Sequence, residues 1–293
     1  MERVKQVVHA EEVYKKGYTG NGIRIALLDT GVFQHENLDG NIIYFKDYIN
    51  HQKECYDDNG HGTHIAGILC GHSNNYEKNF YGMAPKAELL VFKILDKNGN
   101  GSTDIAIKAL DYILQNHRRF NIKLLNFSMG YLPNTNPKMQ ERLIEKLERL
   151  WDEGITIITA AGNNGPEENS ISVPGISRKL ITVGSSDDIY IKNELLRYGG
   201  RGPTSCCIVK PEILAPGTDI ISLSNKKNTF SKKSGTSMSV PIVCGALALA
   251  LEKNKNLKPV ELKILLYDSV DPVENKNINV WGILNVDNLM KML

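Results

Sequence analysis

The chain has 293 residues, 41% hydrophobic and 23% charged, with a formal net charge of +2. This is the make-up of a globular protein long enough to bury one large core, and no Pro/Gly/Ser-rich linker divides it. Near-neutral charge with scattered lysines gives no electrostatic case for nucleic-acid or membrane-surface partners, and no apolar stretch reads as long enough to span a membrane.

In chain order, residues 1–18 read as a short N-terminal extension without the apolar core of a secretion signal. "IRIALLD" (23–29) is a near-continuous apolar strand, the pattern of a sheet buried on both faces. Cys70 lies inside an apolar helix, and "AELLVFKIL" (87–95) is the next strand. Ser102 predicts the N-cap of a helix whose apolar stripe is Ile105, Ala106, Ala109, Leu110, Ile113 and Leu114. After the strand "IKLLNFSMG" (122–130), "KMQERLIEKLERLWDEG" predicts an amphipathic helix. Its Met139, Leu143, Ile144, Leu147, Leu150 and Trp151 face inward, and Gly154 stops it. "ITIITAAGN" (155–163) is another strand, and the Gly-, Pro- and Ser-rich region 165–235 reads as loops and edge strands. The run from Val240 to Leu251 predicts a helix crossing the core, with Pro241 in its first turn.

Alternating strands and helices predict an α/β fold: a largely parallel twisted sheet with helices on both faces, in one domain over 1–293. Five cysteines are an odd number without metal-site spacing, and Cys206 and Cys207 are neighbours. They read as free thiols in a reducing compartment, which predicts a cytoplasmic protein.

Ligands of parallel sheets bind beyond the carboxyl ends of the strands. Asp29, Ser128-Met129-Gly130 and Asn163 all stand at such ends. Nucleophilic catalysis by serine needs a base, a group to orient it and donors for the oxyanion. Asp29 in "LLDTG", His61 in "NGHGTHIAG", Asn163 in "AAGNNG" and Ser237 in "SGTSMSVP" have the required chemistry. Each also has a bland reading: Ser237 as an N-cap, Asp29 or Asn163 as a turn former. An aspartic-protease reading of "DTG" wants a second such motif in an all-β chain. The H-x-x-H pair His61 and His64 lacks the spacing and glutamate of a zinc protease, so His64 reads as a packed structural histidine. Gly20 and Gly22 precede their strand, which excludes a dinucleotide fingerprint.

Seven motifs, taken together, resemble the subtilisin-like serine proteases (subtilases) in type and order. They are "GNGIRIALLDTGV", "NGHGTHIAGIL", "YGMAPKAELLVFKIL", "LLNFSMG", "ITAAGNNG", "GRGPT…KPEILAPG" and "SGTSMSVP", and "WGILNV" (281–286) resembles the family's closing segment. The resemblance implies a serine endopeptidase working through an acyl-enzyme. Asp29 would orient His61, His61 would be general base and then acid, and Ser237 would be the nucleophile. Asn163 would donate to the oxyanion, Ser128, Met129 and Gly130 would pair with substrate backbone, and Ala160, Ala161 and Gly162 would line the primary side-chain pocket.

The chain departs from the family pattern in three places. A family aspartate used for calcium appears as Asn37, and the loop "GHSNNYEKNFYG" suits cation ligands poorly, so no metal is assigned and the chemistry requires no cofactor. Pro241 is followed by Ile242 in place of the family's histidine. Residues 1–18 leave no room for a long inhibitory pro-region, so the expectation is that it has been removed or that the chain resembles the intracellular subtilisins, which lack a full one. The implied partner is a peptide or protein substrate; substrate preference and oligomeric state stay open. Glu167 and Glu168 stand near the predicted pocket, with their reach to a basic substrate residue undecided. Two alternatives remain: a maturation protease dedicated to one precursor, and a catalytically silent binding homologue.

Overall fold

The computed structural model describes residues 1–73, 81–131, 136–191, 197–204, 207–273 and 279–293. An eight-stranded sheet runs through it. In chain order its strands are β1 (Arg24–Asp29), β2 (Ile42–Asp47), β3 (Glu88–Lys93), β4 (Ile122–Phe127), β5 (Thr156–Ala160), β6 (Ile181–Ser185), β7 (Ile213–Ala215) and β10 (Gly282–Ile283). Their spatial order is β10-β7-β6-β5-β4-β1-β3-β2, and every pairing is parallel. A separate antiparallel hairpin joins β8 (Ile220–Leu223) to β9 (Phe230–Lys233).

The interior strands are apolar on both faces because helices cover both. On one side α4 (Thr103–Phe120) packs on α5 (Pro137–Asp152), and α5 on β5. On the other, α3 (His61–Cys70) packs on α6 (Thr236–Lys253), which runs across β4, β5, β6 and β7. α7 (Pro259–Ser269) and α8 (Val286–Lys291) pack together, and α8 also meets α2 (Glu11–Lys15), which follows α1 (Glu2–Val7). From β1 the chain builds β2 and β3 to one side, then crosses to β4 and adds β5, β6, β7 and β10 on the other. This reversal leaves a crevice where the carboxyl ends of β1 and β4 adjoin, the place where such sheets bind ligands.

Several expectations need correction. β6 and β7 are interior parallel strands, where loops and edge strands were expected in 165–235. Their apolar runs are too short to register, since Thr182, Gly184 and Ser185 break the first and the second has only three residues. In α4 the buried stripe includes Ile107 and His117, while Ile105 and Leu114 are only half-buried. In α5 Gln140 is buried, and Met139 and Ile144 are half-buried. α6 begins at Thr236, so Pro241 lies inside the helix, beyond its first turn. At 18 residues α6 is also long and apolar enough to span a membrane, contrary to expectation; here it is buried in the protein core.

Candidate active site

The candidate residues cluster at or just past element ends, although β4 stops at Phe127 and β5 at Ala160, short of the 122–130 and 155–163 expected, so that Ser128-Met129-Gly130 and Asn163 lie beyond their strands. Asp29 closes β1 and is fully buried, with one carboxylate oxygen accepting the Thr30 amide at 2.8 Å. His61 is the first residue of α3, and its Nδ1–H donates to Asp29 Oδ1 at 2.7 Å, with Oδ2 at 3.0 Å. That close approach requires a glycine at 62: a Cβ there would stand 2.0 Å from the Gly31 carbonyl and 3.1 Å from Asp29 Oδ1. The proton on Nδ1 leaves Nε2 with its lone pair. Burial works against the imidazolium, yet Asp29, by charge and hydrogen bond, outweighs it and holds the His61 pKa above its ordinary value. Asp57 acts in the same direction and Lys233 opposes it.

Ser237 lies in the first turn of α6, whose cap is Gly235, with no side-chain cap. The hydroxyl is therefore not an N-cap. It donates to the Ser128 carbonyl at 2.8 Å, rather than to the His61 ring. Asn163 follows β5, and its Oδ1 accepts the Thr236 amide at 3.0 Å and the Thr236 hydroxyl at 3.1 Å. This fixes the amide orientation and leaves Nδ2 without a hydrogen-bond partner among the described residues. Gly235, at φ +147°, admits the Asn163 side chain, since a Cβ there would lie 3.1 Å from Nδ2.

One cavity of about 360 Å³ joins these groups at the crevice predicted by the topology. His61, Asn163 and Ser237 line it, as do Ser128, Met129, Gly130, Ala160 and Gly162. Among the described residues, the amides and carbonyls of Met129 and Gly130 make no backbone hydrogen bond. Ala161 does not line the cavity. It is fully buried, its N–H bonds the Val183 carbonyl and its C=O accepts from Ser172. Successive side chains leave an extended segment on opposite faces, so Ala160 and Ala161 cannot both point the same way. Glu167 and Glu168 are exposed and do not line the cavity either.

Further lining comes from Thr30, Asn59, Leu95, Gly99, Asn164 and Ser172. Thr30 and Asn164 adjoin predicted site residues and could have been suspected for that reason. Leu95, Gly99 and Ser172 arrive from loops distant in sequence and carry no local signal. His64 is fully buried, and its Nε2–H donates to the carbonyls of Ile220 (3.0 Å) and Ser231 (3.1 Å). Asn37 is buried, with its side-chain N–H₂ donating to the His72 carbonyl, a bond a carboxylate could not make. Of the loop expected to bear cation ligands, residues 74–80 lie outside the described residues. No grouping of three or more His, Cys, Asp or Glu suited to a metal occurs among the described residues. Cys55, Cys70, Cys207 and Cys244 are free thiols, and Cys206 lies outside the described residues.

A parallel sheet whose carboxyl edge carries a cleft lined by an imidazole and a hydroxyl, with a buried carboxylate behind the imidazole, defines a class, the subtilisin-like hydrolases. A solved structure described as "Crystal structure of a cold adapted subtilisin-like serine proteinase" matches with a TM-score of 0.75 at 26% identity, over 92% of this chain and 90% of that one. The Subtilase family model matches residues 20–282, and the chain accordingly belongs to the subtilase family of serine proteases. Serine protease AprX of Bacillus subtilis (strain 168) is 35% identical over 96% of this chain and 69% of its own length. The major intracellular serine protease of the same organism is 32% identical over 83% of this chain and 73% of its own. Subtilisin Savinase of Lederbergia lenta is 29% identical over 96% and 95%.

Proposed function

We propose that this subtilase is an endopeptidase in which Ser237 attacks the scissile carbonyl, His61 takes and returns the proton, and Asp29 orients the ring. The observation that carries this reading is the short Asp29–His61 contact, with its ring in the same cleft as the Ser237 hydroxyl. In the resting state the hydroxyl proton rests on Ser128; a turn about χ1 when substrate enters would transfer that bond to His61 Nε2. Asn163 Nδ2 and the Ser237 amide, one of the unbonded N–H groups opening α6, would receive the oxyanion. Met129 and Gly130 would pair with substrate backbone as an added strand, and Ala160 and Gly162 would flank the primary side chain. No cofactor enters this chemistry.

One peptidase domain over 1–293 is part of the proposal, supported by the packing of Val4, Val8, Ala10 and Val13 into the same core as the sheet. A cytoplasmic working place is supported by the free thiols and by the intracellular name of one relative. The test is hydrolysis of a peptide library by the native chain and by Ser237→Ala. The native chain should cut internal bonds and Ser237→Ala should cut none while keeping its thermal melt; hydrolysis retained by the variant would refute the assignment. A single steep consensus would mark a dedicated maturation protease, and broad cleavage a general one.

A further inference from the structure

The proposed machinery contains a second buried carboxylate that touches no substrate position, Asp57, four residues before His61. It is only 6% exposed, yet neither lysine nor arginine pairs with it among the described residues. Hydrogen bonds from three parts of the chain satisfy it instead. Oδ1 accepts the Thr30 hydroxyl at 2.9 Å and the amides of Asn59 (3.0 Å) and Gly60 (2.8 Å). Oδ2 accepts the Thr63 amide at 3.0 Å and its hydroxyl at 2.6 Å. A buried carboxylate is tolerated when it is satisfied in this way, and the Thr30 hydroxyl, 27 residues away in sequence, carries the contact beyond the loop itself.

The donors are distributed around the reacting pair. Thr30 is the residue after Asp29, and its amide binds the Asp29 carboxylate. Thr63 is two residues beyond His61, and Asn59 and Gly60 immediately precede it. Thr30 closes the circuit, since its Oγ1 donates to Asp57 while accepting the Gly62 amide at 2.9 Å. Thr63 does likewise, its Oγ1 accepting the Phe33 amide at 2.9 Å. Asp57 thus ties the end of β1 to the start of α3, two elements 32 residues apart in sequence whose separation sets the 2.7 Å Asp29–His61 contact. From the other side Lys93, fully buried, donates to the Thr30 carbonyl at 2.6 Å and to Asp58 at 2.6 Å, which anchors the same loop.

The geometry points to Asp57 as a positioning residue that holds His61 against Asp29 in register for proton transfer, acting through Thr30 and Thr63 without touching substrate. This deepens the triad reading and rests on it. The chemistry is a matter of distance: an error on the order of 1 Å in a catalytic group can cost about 10²-fold in rate. The carboxylate also contributes charge. The groups that bear on His61 are Asp29 on β1, Asp57 in its loop, Lys233 on β9 and His64 on its own helix, and Asp57 is on the side that favours the imidazolium.

The test compares the native enzyme with Asp57→Asn, Thr30→Val and Ser237→Ala on one peptide substrate across pH. Asp57→Asn removes the charge and one set of acceptors. It should lower kcat by about 10- to 100-fold with KM little changed, and move the acid limb of kcat/KM to lower pH. Thr30→Val, near in shape, cuts the tether but keeps the charge. It should lower kcat while leaving the acid limb in place, a split that loss of stability alone would not produce. Native kcat in Thr30→Val, or native kcat and an unmoved limb in folded Asp57→Asn, would overturn the proposal; should Asp57→Asn fail to fold, Thr30→Val decides alone. Ser237→Ala separates the two levels of failure. If it still hydrolyses the peptide, the triad reading is wrong; if it is dead and the other variants match the native enzyme, only the role of Asp57 falls.

Discussion

At Asn163 the two ends of one side-chain amide differ in their contacts. Oδ1 is held by Thr236, which leaves Nδ2 without a partner among the described residues in a side chain that lines the cleft. Asn163→Ala is expected to lower kcat by roughly 10²–10³ with little change in KM, the magnitude found for the corresponding donor in subtilisin itself; steady-state kinetics check it. His61 has the opposite dependence on pH for activity and for stability. Its pKa is raised by Asp29 against the pull of burial, so kcat/KM should rise with pH through a limb above the ordinary imidazole value of about 6.5. The stabilising imidazolium–carboxylate contact is fully present below pH ~6.5 and is lost as pH rises through the folded pKa, so it fades as activity appears. A pH–rate profile with its acid limb at or below the free-imidazole value would contradict this assignment. As candidates, Asp29 and Asn163 were legible because each follows an apolar strand, and His61 and Ser237 through the chemistry and order of their motifs. Ser172 and Leu95 were not, because only tertiary folding brings their loops to the cleft.

Among the elements, α3 and α6 were expected as apolar helices, and burial explains why their sequences show almost no polar face. The start of α6 was harder to read: the apolar run begins only at Val240, whereas the helix begins at Thr236, and Ser237, weighed as its N-cap, lies inside it. Ser239, likewise inside it, donates to the Ala215 carbonyl at 2.9 Å. β6 and β7 were read as edge or loop because three to five residues give no period to detect. His64 links α3 to the β8–β9 hairpin through two carbonyls and is held neutral, with burial pushing its pKa down to about 4. A histidine whose folded pKa is depressed contributes stability above its unfolded value, which is lost as pH falls. Urea unfolding should therefore show a loss of stability between pH ~6.5 and about 4 that is smaller in His64→Gln. Equal slopes in the two proteins would contradict a depressed His64 pKa in the folded state.

For the whole molecule, the parallel α/β architecture followed from the alternation of strand and helix periods, while the candidate site rested on the resemblance of the motifs, with strand ends marking only the edge of the sheet where it was expected. The role of residues 1–18 did not follow, because α1 and α2 are short and their apolar positions are few. Val8, Ala10 and Val13 are nonetheless fully buried, and Thr19 and Gly20 donate their amides to Glu252 at the far end of α6. Each buried valine is worth about 1.5–3 kcal/mol, so removal of 1–18 should lower the melting temperature by many degrees or prevent folding. An unchanged melt in the truncated chain would show that the segment is dispensable. Whether Ser237 is a nucleophile activated by His61 and Asp29 can be read from its reaction with a fluorophosphonate, followed by intact-mass and peptide mapping. One adduct on Ser237, absent from His61→Ala under the same conditions, is the expected result; no adduct on the native chain, or an adduct on another residue, would contradict it.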